Sequence, residues 1–447
     1  MRMDPLKRIS QSIIFRKLTG VTLVQVAGAF LGLLSQTVLA RILGVSGFGL
    51  ITYIFSWIVL ISLFARLGFD NSLIVKISNT IESRKWSLLG WYLSIPPLFI
   101  MASSLLIGSL VLLFLYIFQI PNFSVWAISL LVLLPIISYS NLNQSILIAF
   151  KKTVISNIPV LIIRHFVLIL VMVLTVVIND ALISPFYAQV ANAFAFFTGA
   201  LVSGYWINKE KATLELHLHK SEKANPFRLV AESFPFLIFS GTSILNQHAD
   251  VLILGVFRAP EEVGIYGAVS KVIMLISFSS IVANITIKPY ITRSRNQDGN
   301  KELERQLFFL NLFVNASSFV LFMLIVVFGE RLLGIFGNDF IPGYNVLLIL
   351  SFGKLFAVST GPVGILLMLS GSDKIGSRLE LLFAMVNIVL NFALIPFYGI
   401  TGAAIATVIS WIMRNLVMLI IVRKKLKINP TVFNYTQIKG LVNGFKK

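Results

Sequence analysis

Residues 154–178 read VISNIPVLIIRHFVLILVMVLTVVI, a long apolar run whose single charged side chain is Arg164. A helix needs about 20 mainly apolar residues to cross the hydrocarbon core of a bilayer. The stretch therefore predicts a membrane-spanning helix. It also raises the question of why an arginine lies within it.

The composition of the whole chain agrees with a membrane protein. Of the 447 residues, 57% are hydrophobic and only 12% are charged, and the mean hydropathy is +0.89. Soluble domains carry about 25% charged residues. So little charge could not cover the surface of a soluble chain of this length, which excludes a soluble enzyme, a nucleic-acid-binding protein and a disordered linker. Cysteine is absent, which excludes disulfides and Cys-based metal sites.

Similar apolar runs recur along the chain and predict an all-α polytopic membrane protein with twelve transmembrane helices. They lie near 18–40, 50–70, 88–118, 124–149, 154–178, 183–207, 228–253, 264–289, 306–328, 344–369, 377–396 and 401–422. The runs divide six and six around a polar break, as in transporters built from two related lobes. The predicted segments are a leader (1–17), an N-terminal lobe (18–207), a linker (208–227), a C-terminal lobe (228–424) and a basic tail (425–447).

The distribution of charge predicts the orientation. Lys and Arg number 37 against 18 Asp and Glu, which gives a net charge of +19. Loops on one predicted side hold 28 of these bases, whereas the opposite side holds only Arg41, Arg258 and Arg331. Cytoplasmic loops collect Lys and Arg, so we expect both termini in the cytoplasm. The basic leader lacks the features of a cleaved signal peptide, and we expect the first span to be retained.

The bases that lie outside the predicted loops are more informative about function than the bases within the loops. Lys288 lies at the edge of a span, where its side chain can reach the interface. Five others lie within or near the ends of spans, namely Arg66, Arg164, Lys271, Lys354 and Arg414. A charge at mid-depth costs roughly 2.5–3.5 kcal/mol even on lenient insertion scales.

These bases have two interpretations. In the first, the bases line a cationic, water-accessible chamber. Such a chamber implies an anionic substrate, because Arg and Lys bind phosphate and carboxylate oxygens. Alternatively, they form structural ion pairs with Asp70, Asp250, Glu232 or Glu380. For Arg66 the spacing to Asp70, one helical turn further on, favours an ion pair.

Uncharged polar residues and one acid add weaker candidates. Such side chains contact sugar hydroxyls or bridge helices. The candidates are Gln25, Asn246, His248, Asp250, Asn387 and Asn391. Asp250 and His248 are also candidates for titration during a transport cycle. The sequence predicts no catalytic residues, no metal site and no cofactor, and it leaves coupling to H⁺ or Na⁺ open.

Three runs resemble the Wzx-type polysaccharide flippases of the multidrug/oligosaccharidyl-lipid/polysaccharide superfamily. They are LARILGVSGFGLITY (39–53), ADVLILGVFRAPEEVGIYGAVSKVI (249–273) and NIVLNFALIPFYGITGAAIATVIS (387–410). The resemblance implies two six-helix lobes around a V-shaped chamber. It also implies that Lys271 and Arg66 lie where the family places chamber-lining bases.

The function implied by the resemblance is that of a flippase in the bacterial plasma membrane. Its substrate would be an undecaprenyl-pyrophosphate-linked oligosaccharide, such as an O-antigen repeat unit, moved from the cytoplasmic to the outer leaflet by alternating access. We expect a monomer that contacts membrane lipids and other polysaccharide-assembly proteins, but not nucleic acid. The alternatives are a multidrug antiporter of the same superfamily, which would favour intramembrane carboxylates, and a membrane polymerase or ligase, which would need a large outer loop.

Overall fold

The computed structural model describes residues 5–179, 181, 183–214, 225–276 and 300–432. Most of the predicted basic tail and the middle of the 208–227 linker lie outside these residues, as do the first four leader residues and Lys288. The division into leader, lobes, linker and tail stays a prediction.

The described residues form helices and connecting turns, without β-strands. The helices are α1 (Pro5–Ala65), α2 (Phe69–Glu82), α3 (Trp86–Ile117), α4 (Phe123–Ala149), α5 (Thr153–Ile178), α6 (Pro185–Thr213), α7 (Pro226–Phe257), α8 (260–276), α9 (Asn300–Gly334), α10 (Tyr344–Ser359), α11 (Val363–Leu369) and α12 (Asp373–Ile421). Eight described helices are long and apolar enough to cross a membrane, or nine when the bent helix α7 is counted as one span. The all-α membrane fold is therefore confirmed.

Glycines divide the two longest helices. Gly44 in α1 has φ 69° and Gly399 in α12 has φ 54°, and neither residue is helical. Because only glycine adopts positive φ without strain, each helix breaks at this point. The breaks lie between the predicted spans 18–40 and 50–70, and between 377–396 and 401–422, so each long helix contains residues of two predicted spans. The predicted span 264–289 continues beyond the described residues, and the count of twelve stays a prediction.

Two predicted spans differ from the observed helices. The helix predicted over 50–70 ends at Ala65, where a turn with Gly68 at φ 76° leads into α2. The run predicted over 344–369 is divided at residues 360–362, where Gly361 has φ 79°. In both places the helix ends within an apolar run at residues with positive φ, Leu67 and Gly68 in the first and Gly361 in the second, which hydropathy alone does not detect.

The chain divides into two compact units, residues 1–248 and residues 249–447. In the first unit a buried apolar core joins α2, α3 and α4, with Phe69, Leu73, Ile77, Leu89, Leu142, Ile146 and Leu147 among its members. In the second unit a core joins α9, α11 and α12, with Leu303, Leu307, Val363, Leu366, Leu367, Met418, Val422 and Ile428.

Helix α3 also presents a large apolar surface outward. Its exposed residues include Leu98, Leu105, Leu106, Leu110, Leu113 and Phe114. Soluble monomers rarely expose apolar patches of this extent. A membrane-spanning helix presents such a surface to lipid tails.

Arg258 stabilises the break in α12. Its guanidinium donates hydrogen bonds to the carbonyl oxygens of Ile395 and Pro396, each at 3.3 Å. A broken helix leaves such carbonyls without intrahelical partners, and an apolar environment makes that costly. Arg258, predicted as a loop residue of the less basic side, therefore has a structural role.

We expect the substitution Gly399→Ala to lower stability by roughly 1–3 kcal/mol, the cost of forcing a residue with a side chain into a sparsely populated backbone region. Gly399 has φ 54° and ψ −133°, and a Cβ there would overlap the Glu262 carboxylate. Thermal unfolding of the purified protein measures the effect. Gly204→Ala is the control, because Gly204 lies in α6 with open space around its Cβ position. Equal stability of both variants would contradict a requirement for the break.

Candidate functional site

Arg66 lies in the turn after α1 and is buried, with 8% of its surface exposed. It forms an ion pair with Asp70, and its Nε donates to the carbonyl oxygen of Ser62 at 3.0 Å. The spacing of four residues predicts this pair. Its counter-charge makes Arg66 a weaker candidate for substrate binding than a base without one.

Arg164 has a different environment. It follows a π-helical turn, Pro159–Ile163, within α5. Its guanidinium lies 4.0 Å from the ring centroid of Phe196 and 5.5 Å from that of Phe55. The buried Nε has no hydrogen-bond partner among the described residues, and none of their acidic side chains pairs with this arginine. Arg164 is therefore a cation held by aromatic rings, with hydrogen-bonding capacity left for an anion.

Lys354 and Arg414 line one cavity in the second unit, with a volume of about 170 Å³. The Lys354 amine lies 4.9 Å from the ring centroid of Trp411. The Arg414 guanidinium donates to the Glu380 carboxylate at 3.1 Å. The ion-pair interpretation thus describes Arg414, whereas Lys354 has no acidic partner among the described residues.

Lys271 is half-buried in α8. Glu232, which the sequence offers as a partner for an intramembrane base, instead binds Lys76 and Arg228 in the first unit. These two bases belong to predicted cytoplasmic loops, so Glu232 neutralises none of the five candidates.

Asp250 in α7 is surrounded by neutral donors. Its carboxylate accepts hydrogen bonds from the Tyr266 hydroxyl at 2.7 Å, the Thr407 hydroxyl at 2.7 Å and the Asn391 amide at 2.8 Å. The Asn391 amide also contacts the Asn387 side-chain oxygen at 3.0 Å. Asp250 therefore does not neutralise an intramembrane base, which corrects the suggestion that it pairs with one.

This group of Asp250, Tyr266, Asn387, Asn391 and Thr407 is called the Asp250 cluster. The sequence proposes three of its members but not Tyr266 or Thr407. Both of these lie in runs that carry the family resemblance, YGAVSKVI and GAAIATVIS, which is the available signal. A carboxylate held by neutral donors can take up a proton or a small cation without breaking an ion pair.

The other polar candidates are dispersed in the first unit. The Nδ1 atom of His248 lies 3.1 Å from the Ser56 hydroxyl. The side-chain oxygen of Gln25 is buried without a hydrogen-bond partner among the described residues, and Asn246 is half-buried. The described residues contain no group of three or more His, Cys, Asp or Glu able to hold a metal ion.

Apolar helices of this length, with bases and one hydrogen-bonded carboxylate among them, define a polytopic membrane protein. The fold is similar to a multidrug resistance transporter of the MATE family in an inward-facing conformation, with a TM-score of 0.73 at 13% identity over 90% of this chain and 94% of that one. It is also similar to the lipid II flippase MurJ in an inward closed conformation, with a TM-score of 0.68 at 15% identity over 90% of this chain and 87% of that one.

Residues 14–295 match the family described as polysaccharide biosynthesis protein, and the chain belongs to this family. Two relatives are the capsular polysaccharide biosynthesis protein CapF of Staphylococcus aureus, 24% identical over 48% of this chain, and the probable low-salt glycan biosynthesis flippase Agl15 of Haloferax volcanii, 30% identical over 36% of this chain. The matches span 54% and 34% of the lengths of these relatives.

Proposed function

We propose that the protein is a flippase that moves a lipid-linked oligosaccharide from the cytoplasmic to the outer leaflet of the plasma membrane. The observation that supports it most is that each unit holds an intramembrane cation, Arg164 in the first and Lys354 in the second, that rests on an aromatic ring without an acidic partner among the described residues. An undecaprenyl-pyrophosphate linkage carries the negative charge that such cations would bind. Family membership and a relative named as a probable glycan flippase agree with this substrate class.

The mechanism is alternating access. The hydroxyls and charges of the glycan need a polar path, whereas the polyprenyl chain can remain in lipid. Lys271 and Arg414 join Arg164 and Lys354 as proposed contacts for the anionic part, with Gln25, Asn246 and His248 as hydrogen-bonding partners for the sugars. The protein acts as a transporter rather than an enzyme, as a monomer, with both termini in the cytoplasm and alongside other polysaccharide-assembly proteins.

The direct test is a deletion strain in which the leaflet distribution of undecaprenyl-linked repeat units is measured. Repeat units trapped on the cytoplasmic leaflet, with their synthesis intact, are the expected result. Normal distribution would contradict the proposal. Because the chain has no native cysteine, single cysteines at positions 164, 271, 354 and 414 can then report water access without background labelling.

We expect Lys271→Ala and Arg414→Ala to reduce surface polysaccharide at least several-fold, since each removes a cation that binds the anionic substrate. Both proteins should reach the membrane in normal amounts, which immunoblotting of membrane fractions measures. Lys374→Ala is the control, because Lys374 is an exposed base of a predicted cytoplasmic loop. Wild-type polysaccharide levels in both test variants would contradict the cationic chamber.

The second candidate is a cation-coupled multidrug antiporter. The Asp250 cluster favours it, because an intramembrane carboxylate suits a cationic substrate or a coupling ion. Dye efflux against a concentration gradient would support it. In the flippase we assign this carboxylate to coupling, by a proton or by Na⁺. A polymerase or ligase is less favoured, because the predicted outer-face loops are too short for a catalytic domain.

A further inference from the structure

The cavity that holds Lys354 lies entirely within the second unit. Its lining comes from α9, α10, α12 and the turn that joins α10 to α11. The lining residues are Leu310, Asn311, Val314, Lys354, Ala357, Val358, Gly361, Pro362, Arg414 and Asn415. The walls are thus mainly apolar, with four polar side chains among them.

The charges in the cavity do not balance. Glu380 binds Arg414, but Lys354 rests on the Trp411 ring without an ion-pair or hydrogen-bond partner among the described residues. Asn415 is already occupied, because its amide donates to the Trp411 carbonyl oxygen at 2.8 Å and its side-chain oxygen accepts from the Thr360 hydroxyl. The three N–H donors of the Lys354 amine therefore remain available to an anion.

The size of the cavity restricts what that anion can be. Sites for drug-sized ligands occupy about 300–1,000 Å³, and a water molecule takes about 30 Å³ in the liquid. A cavity of about 170 Å³ holds more than one water molecule, yet it is below the range for a drug-sized ligand. It fits a phosphate-sized group.

The segment after α12 lies against one end of this cavity. We call residues 428–431 the C-terminal strap. Ile428 of the strap is buried in the core of the second unit, and the Pro430 carbonyl oxygen accepts a hydrogen bond from the Asn311 amide. A Cβ at Gly361 would lie 2.5 Å from the same oxygen, so only glycine allows this approach.

The strap is also held from outside the cavity. The Asn429 backbone N–H donates to the Glu304 carboxylate at 2.8 Å, and the Arg423 guanidinium donates to the Asn429 side-chain oxygen at 3.0 Å. Four exposed bases lie between the end of α12 and the strap, namely Arg423, Lys424, Lys425 and Lys427. The end of α12 and the start of the strap are thus strongly basic.

We propose that this cavity is a binding site for a phosphate group, with Lys354 as its main contact and the C-terminal strap retaining it. Arg414 becomes the second contact when the phosphate competes with Glu380 for its guanidinium. The phosphate belongs either to the lipid-linked substrate or to an anionic phospholipid. Only the first source rests on the proposed function.

The first experiment measures binding of inorganic pyrophosphate to the purified protein in phosphate-free detergent, by calorimetry. Lys354→Gln is expected to bind about 10- to 100-fold more weakly, the effect of losing one hydrogen bond to a charged group. Glu380→Gln is expected to bind more tightly, because it releases Arg414. A gain in affinity cannot result from misfolding. Lys374→Gln, which changes an exposed lysine, is the control and should bind as the wild type does.

The second experiment distinguishes the two sources. Retention of phosphatidylglycerol over phosphatidylcholine by native mass spectrometry, lost in Lys354→Gln, supports the phospholipid. Weaker pyrophosphate binding by Lys354→Gln, together with loss of polysaccharide export in that variant, supports the lipid-linked substrate as the source.

If the binding of neither pyrophosphate nor phosphatidylglycerol depends on Lys354, the phosphate site is wrong. The flippase proposal is tested separately, by the leaflet distribution in the deletion strain. If Lys354→Gln loses binding but exports normally, the site is correct and its phosphate is not that of the transported substrate.

Discussion

The substitution Arg164→Met is expected to abolish polysaccharide export while leaving the protein at least as stable as the wild type. The loss of export follows because methionine offers no charge to the anionic substrate. Surface polysaccharide, quantified against the amount of protein in the membrane, measures the first effect. Thermal unfolding of the purified protein measures the second.

The expected stability follows from two opposing free-energy contributions, the cost of an unpaired intramembrane charge and the stabilisation by the aromatic rings. An intramembrane arginine without a counter-charge costs roughly 2.5–3.5 kcal/mol. A cation–π interaction returns about 0.5–2 kcal/mol. Methionine removes both, and it keeps apolar contact with Phe55 and Phe196, the rings on which Arg164 rests. The net change is a gain of about 0.5–3 kcal/mol.

Arg66→Met is the matched control, because Arg66 is also a buried arginine but has Asp70 as its partner. Removing one member of a buried pair leaves the other charge uncompensated, at a cost of about 3–5 kcal/mol. The two substitutions should therefore change stability in opposite directions. A loss of stability in Arg164→Met equal to that in Arg66→Met would make Arg164 a structural residue and refute its role in binding anions.

The substitution Asp250→Ala is expected to lower stability by about 3 kcal/mol or more and to abolish transport. It leaves the Tyr266 hydroxyl, the Thr407 hydroxyl and the Asn391 amide without their acceptor. Each buried donor that loses its partner costs about 1–3 kcal/mol. Thermal unfolding and the export assay measure the two effects.

Asp250→Asn separates structure from ion coupling. Asparagine has nearly the same shape and keeps one acceptor oxygen, so it should recover much of the stability that alanine loses. It carries no charge, and transport should remain abolished if a proton or Na⁺ acts at the carboxylate. Comparing wild-type stability in sodium chloride with that in choline chloride, and across pH, identifies the ion.

Asp339→Asn, at an exposed acid of the second unit, is the control for this series and should change neither property. Normal transport by a well-folded Asp250→Asn protein would exclude ion coupling at Asp250. The Asp250 cluster would then serve only to join α7, α8 and α12.

Much of the fold follows from local sequence. Apolar runs identify the helices because crossing a bilayer requires every backbone polar group to be paired within the helix. Hydropathy also marks Arg164 as unusual, because it is the single charge in such a run. The Arg66–Asp70 pair is predictable from the spacing of four residues, although it forms across the turn at Gly68 and not along one helix.

The helix ends within apolar runs are harder to predict. The turn at Gly68 and the division at Gly361 interrupt runs that are mainly hydrophobic. Hydropathy does not distinguish a glycine in a helix from one with positive φ. That difference depends on neighbours such as Pro430, whose carbonyl oxygen lies where a Cβ at residue 361 would be.

The order of amino acids is enough to specify an all-α membrane protein with bases inside its apolar runs. Which of those bases have partners depends on tertiary packing. Glu380 binds Arg414 from 34 residues away, and Asn391 and Thr407 bind Asp250 from 141 and 157 residues away. Helical periodicity specifies neighbours only within a few residues, whereas contacts between helices depend on how their faces pack. For this reason the Lys354 cavity and the Asp250 cluster can be recognised only in the folded chain.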